Sequence, residues 1–134
     1  MEDDDAFLNS YRLFDEALID YAHVFTYSSR DGTKAAEWAD DVPPAVKKSR
    51  THRLRTLSED KQLQFSARFL GETRHVIWDQ PKPDQTLLKG VTPEYLSVQI
   101  PFAATWKHDK SLIPRSSQVR LLEVKDGHLW GSLC

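Results

Sequence analysis

Apolar residues near the N-terminus recur at helical spacing. Phe7, Tyr11, Phe14 and Leu18 follow one another at intervals of three or four, with Leu8 beside them. Asp3, Asp4 and Asp5 precede the run, and acids there cap a helix and complement its dipole. The pattern predicts an amphipathic helix over about residues 4–19. Tyr21-Ala22-His23-Val24-Phe25-Thr26-Tyr27 is rich in β-formers and predicts a strand. Ser28-Ser29-Arg30-Asp31-Gly32-Thr33 then predicts a turn. One strand has no ladder partner, and even a pair is marginal. Residues 1–41 therefore read as the helix–strand end of a larger α/β unit, with an apolar stripe that needs a sheet or a second copy of the chain to cover it.

Pro43-Pro44 suits the first turn of a second helix, which runs to about Leu70 and stops at Gly71. Val46, Leu54, Leu57, Phe65 and Phe69 form its apolar stripe. Beyond Gly71 the period changes to two. Thr73–Trp78, Leu87–Val91, Tyr95–Ile100, Val119–Val124 and His128–Leu133 read as strands. Gln80–Asp84 and Thr92-Pro93-Glu94 read as turns, Phe102–Ser117 as a polar loop, and Asp126-Gly127 as a two-residue hairpin connection. The expected class is α+β in three parts: the remnant over 1–41, a long linking helix over 42–70, and a small five-stranded, OB-like antiparallel β-barrel over 71–134.

The charge pattern sharpens this division. Residues 1–41 carry eleven acids against three cations, a net of −8. From Val42 onward fifteen cations face nine acids, a net of +6, although the chain as a whole is at −2. Such asymmetry suggests that the second part meets a polyanion. The turning point is Lys47, Lys48, Arg50, Arg53 and Arg55, five cations in nine residues. The run reads either as a phosphate-binding stretch or as a solvated helix face. In the β part, Arg74, Lys89, Lys107 and Arg120 are candidate phosphate contacts. Tyr95 and Trp106 are candidate stacking surfaces for unpaired bases, Trp106 because it lies in a polar loop between Thr105 and Lys107. Trp78 and Trp130 are assigned to packing.

Several chemistries find no support. The five histidines lack the close, one-face spacing of a zinc site, and Cys134 is the single cysteine. No metal ligand and no catalytic residue is assigned. Ser28-Ser29 with His23 lacks an orienting acid. No apolar run approaches the roughly 20 residues that span a bilayer, and the acidic start is unlike a signal peptide. A reducing, cytoplasmic setting with no membrane partner is expected.

Three stretches resemble the radical-SAM methylthiotransferase family, and more narrowly the type acting on threonylcarbamoyladenosine beside the tRNA anticodon. His23 to Ala36, containing Tyr27-Ser28-Ser29-Arg30-Asp31-Gly32-Thr33, is similar to the family's last barrel strand and the turn after it. Val46–Ser58 resembles its linking helix. Gly90-Val91-Thr92-Pro93-Glu94-Tyr95-Leu96-Ser97-Val98 resembles the Gly-x-Thr-x-x-Tyr-x-x-Val signature of the C-terminal TRAM domain, an RNA-binding β-barrel. Asp31 and Lys34 replace the prolines that usually flank the Gly-Thr of the turn. The resemblance implies tRNA as partner, and places Tyr27, Ser28, Arg30 and Thr33 near the substrate mouth of the complete enzyme. It also implies iron–sulfur clusters and S-adenosylmethionine in that enzyme. Clusters need several thiolates, so this chain is expected to hold no cofactor and to be inactive alone.

Three functional readings follow: the tRNA-binding end of a methylthiotransferase, a stand-alone non-catalytic RNA-binding module, and a protein-interaction module on an OB-like barrel. In the second, residues 1–41 are an expression remnant or an oligomer contact.

Overall fold

The computed structural model describes residues 2–82 and 84–134. The chain forms two compact units, one extending to Gln62 and one from Leu63 to Cys134.

In the first unit, helix α1 (Asp4–Glu16) starts where the acids predict, with the Asp3 side chain accepting from the Ala6 amide at 2.8 Å. It stops short of residue 19. Lys61 Nζ donates to the carbonyls of Phe14, Asp15 and Ala17 at 2.8, 3.0 and 3.1 Å. A cation there meets the orphan carbonyls and the negative end of the dipole together. The expected strand Tyr21–Tyr27 does not form. The segment is bound instead by side chains of helix α2 (Pro44–Ala67). Ser58 Oγ accepts from the Ala22 amide and donates to the Ala22 carbonyl, both at 2.8 Å, and Arg55 Nε donates to the Val24 carbonyl at 3.1 Å. β-forming residues give a strand only when a ladder satisfies their backbone, and here side chains do so.

Phe7 and Phe14 are buried within this unit. The guanidinium groups of Arg50 and Arg53 lie 5.4 and 5.0 Å from the Phe7 ring centre. Helix α2 therefore covers these two rings of the α1 stripe, without a sheet or a second copy. Leu18 at the end of the stripe stays exposed.

The second unit is a closed barrel of β1 (Thr73–Trp78), β2 (Leu87–Val91), β3 (Ser97–Pro101), β4 (Ser116–Lys125) and β5 (His128–Leu133), in the order β1-β2-β3-β5-β4. This is consistent with an OB-like fold. It is not wholly antiparallel, because β3 and β5 pair in parallel. The turn expected at residues 80–84 includes Pro83, which lies outside the described residues. Asp126 and Gly127 both have positive φ (52° and 77°), the geometry that a tight two-residue hairpin demands.

Alternate positions point inward. Val76, Leu88, Val98, Val119, Leu121 and Leu129 are fully buried. Burying each is worth about 1.5–3 kcal/mol, so the barrel carries a core of its own. The polar loop expected over residues 102–117 contains helix α3 (Ala104–His108). It brings Trp106 against Phe102, edge to face at 5.6 Å, beneath the barrel. Phe65, from the last turn of α2, and Phe69, just beyond it, pack on the same core.

Candidate nucleic-acid interface

Four of the five cations of the basic run make contacts within the first unit. Arg50 donates to the Glu2 carboxylate and carbonyl at 2.9 Å and to Asp4 Oδ1 at 2.8 Å. The hydrogen bond that Arg50 donates to Asp4 raises the Arg50 pKa above its ordinary value, against a smaller opposing effect of burial. Arg53 stacks on Tyr11 as well as Phe7. Lys47 pairs with Asp40 and lies over the Tyr27 ring at 5.8 Å. Arg55 holds the Val24 carbonyl. Of the five, Lys48 alone is exposed with no ion pair, ring contact or side-chain hydrogen bond among the described residues.

The four turn-associated residues have separate environments. Tyr27 lines an open cleft of about 870 Å³ with Phe25 and Trp38. Thr33 caps the short 3-10 turn Lys34–Glu37, accepting from the Ala36 amide at 3.3 Å and donating to the Arg30 carbonyl at 2.8 Å. Ser28 and Arg30 are exposed.

The barrel presents a different picture. Arg74 is engaged by Glu72 and Glu94, at 2.8 and 3.0 Å, and lies over Phe69. Lys89, Lys107 and Arg120 are exposed and make no ion pair among the described residues. They do not form one patch. Lys107 is on α3, and Arg120 is on β4 opposite Thr73 and Ser132. Lys89 starts a row across four strands, Lys89–Gln99–Trp130–Glu123. A second row on the same outer face holds Val91, Ser97, His128 and Lys125. In it the Ser97 hydroxyl meets His128 Nδ1 at 2.8 Å. Lys125 Nζ lies 5.9 Å from the Trp130 ring centre. Sequence reasoning missed Gln99, Ser97 and His128, because their adjacency comes from the β3–β5 pairing across some thirty residues.

Of the two aromatics expected to meet bases, Tyr95 is 74% exposed and Trp106 is 7% exposed. Trp106 cannot stack on a base where it stands. Its polar neighbours in sequence concealed a five-residue helix with one inward position.

The chain is 35% identical over 133 residues to the tRNA-2-methylthio-N(6)-dimethylallyladenosine synthase of Bacillus cereus, covering 98% of this chain and 25% of the relative. The protein of the same name from Protochlamydia amoebophila is 38% identical over 92 residues, covering 68% of this chain and 20% of the relative. That of Ehrlichia ruminantium is 28% identical over 130 residues, covering 97% and 28%.

The chain is similar to tRNA-2-methylthio-N(6)-dimethylallyladenosine synthases.

It spans about a quarter of the length of these synthases. No protein-family model matches it. The stretch Gly90–Val98 has a direct physical reading. A Cβ on Gly90 would collide with the Ile77 carbonyl and lie 2.7 Å from both Trp78 and Val76, so only glycine lets β1 and β2 approach. Thr92 is buried, and its Oγ1 accepts from the Leu96 amide at 3.2 Å. Val98 is core. Three of the four signature positions thus build the barrel, and Tyr95 alone faces outward.

Among the described residues no helix is long and apolar enough to cross a membrane, and no group of three or more His, Cys, Asp or Glu could hold a metal ion.

Proposed function

We propose that this chain is the tRNA-binding portion of a methylthiotransferase acting on a hypermodified adenosine beside the anticodon, in the cytoplasm. The observation carrying this reading is similarity along 98% of the chain to a synthase whose name states that product class. The closed barrel with unpaired outward cations supports it, since OB-like barrels bind single strands on their outer strands and loops. On this reading the barrel over 71–134 is a TRAM domain, residues 42–70 link it, and residues 1–41 end the catalytic barrel near the substrate mouth. The motif resemblance leans to threonylcarbamoyladenosine and the relatives' name to dimethylallyladenosine; both are adenosines enlarged by an added group. The complete enzyme would use iron–sulfur clusters and S-adenosylmethionine. One exposed thiol, Cys134, does not supply the ligands of a cluster, so no step of that chemistry is assigned to these residues. A stand-alone RNA-binding module is the second reading, favoured by the separate compact unit that the barrel forms.

Filter binding of the full chain to tRNA over a salt series tests the proposal. Affinity should fall linearly in log salt, by about 0.7–0.9 in slope for each phosphate engaged. No binding at low salt, or a flat response, overturns it. Methylthio incorporation by the full-length protein, read by nucleoside mass spectrometry, identifies the base; its absence leaves the stand-alone module.

A further inference from the structure

We propose that one end of the barrel holds a single unpaired nucleotide, with the Tyr95 ring as its stacking surface and His128 and Lys125 along its polar edge. This rests on the RNA-binding reading above and deepens it by naming the ligand unit and its contacts.

Topology brings these residues together. Strand β2 runs toward this end, and β3 and β5, which are parallel, both start from it. The β2–β3 turn and the β4–β5 hairpin are therefore neighbours. Tyr95 sits in that turn with φ of 62°. A bulky residue in the left-handed region is uncommon and strained, and such strain concentrates at binding sites. Packing does not explain it, because the side chain is 74% exposed. Nor does backbone preference, since glycine would take this φ without penalty. The turn nevertheless fixes the residue firmly. The Tyr95 amide donates to the Thr92 carbonyl at 3.0 Å, the Thr92 amide to the Leu96 carbonyl at 3.1 Å, and the Leu96 amide to Thr92 Oγ1 at 3.2 Å. An aromatic face is held out to solvent by a rigid mount.

Two residues further on, Ser97 bonds His128 Nδ1 and sets the plane of the imidazole. Nε2 remains as the ring's other hydrogen-bonding atom. Lys125 stands opposite His128 in the ladder. Asp126 at the hairpin tip and Glu123 further along β4 moderate the positive charge nearby. Glu94, beside Tyr95, is already engaged by Arg74. A flat ring, a directed polar edge and little net charge suit a base more than a run of phosphates. A long aromatic-lined groove for several bases is not present, because Trp130 on this face already packs under Lys125.

Tyr95→Gly separates binding from folding, because it removes the ring and relieves the left-handed strain together. In the full chain this variant should melt several degrees higher than the parent. It should bind a stem–loop RNA about tenfold more weakly, with an unchanged salt slope. Tyr95→Phe should retain binding. His128→Ala should weaken binding to the stem–loop while leaving binding to an uninterrupted RNA duplex as it was. If the parent chain binds the stem–loop and both Tyr95→Gly and His128→Ala bind within twofold of it, the nucleotide site is wrong and the RNA-binding reading stands. If the parent chain binds neither RNA, the RNA-binding reading falls and takes this site with it.

Discussion

The two units use their cations in opposite ways. In the first, Arg50, Arg53, Lys47, Arg55 and Lys61 face carboxylates, ring faces or carbonyls of the same unit. They do the work of a core in a unit with little apolar interior. In the barrel the interior is filled by aliphatic side chains, and Lys89, Lys107 and Arg120 are left facing water. Cation counts along a chain therefore say little about where a polyanion binds. The densest run here is tied into its own unit at every cation but Lys48, whereas the barrel leaves Lys89, Lys107 and Arg120 exposed and without an ion pair among the described residues. The −8 and +6 halves partly cancel within one compact unit, because the run that begins the positive half is bonded to the acids of the negative half.

The largest effect that could break this comparison is in the first unit. Phe7→Ala should remove about 3–5 kcal/mol of its stability, as for a buried aromatic, while amide exchange in β1–β5 stays slow. Loss of protection throughout the barrel would show that the two units do not have separate cores. Next, Arg50→Glu places a carboxylate against Glu2 and Asp4. It should destabilise the first unit, since it removes the tie and adds like-charge repulsion. Chemical denaturation followed by far-UV dichroism reads this as a lower midpoint; an unchanged midpoint would mean that the ion pairs are ornamental. Third, Lys89→Glu and Arg120→Glu should each leave stability within about 0.5 kcal/mol, as expected for surface sites. Each should lower the tRNA salt slope by about 0.7–0.9 if its lysine or arginine meets a phosphate. An unchanged slope in both variants would move the phosphate contacts elsewhere.

The smallest effect concerns acid. Burial pushes the Glu94 carboxyl up, but its own backbone amide, the Thr92 hydroxyl and Arg74 together hold it below its ordinary value of 4.5. A carboxylate with a lowered folded pKa contributes stability above the ordinary value, and that contribution disappears as pH falls through the folded value. The barrel should therefore lose stability below about pH 4.5, and Glu94→Gln should flatten that part of the curve. A parent and variant with parallel pH profiles would show that Glu94 is not the group responsible.

Local periodicity made much of the fold legible. Thr73–Trp78, Leu87–Val91 and His128–Leu133 are strands with the expected limits, and Asp126-Gly127 makes its hairpin. Alternation and turn chemistry are properties of neighbouring residues, so a sequence displays them directly. Features set by distant partners were not legible. Tyr21–Tyr27 has the composition of a strand, but its hydrogen-bonding partners are Ser58 and Arg55 on a helix. Trp106 has polar neighbours along the chain and apolar ones in space. The basic run could be counted, whereas its pairing with Glu2 and Asp4, 48 and 46 residues away from Arg50, could not. Tyr95 was identified as a candidate, but the strain that singles it out is a backbone angle that composition does not reveal.

The parallel pairing of β3 with β5 has a consequence for how the protein is made. Strand β5 contacts both β3 and β4, and residues 128–133 emerge from the ribosome after the other four strands of the barrel. Until they arrive, the remaining sheet has the order β3-β2-β1-β4 and two open edges, each with unpaired backbone groups that invite pairing with another chain. Closure is then a single late event. A stop or stall a few codons before His128 would yield no slightly weakened barrel, but a sticky open sheet suited to chaperone capture or aggregation.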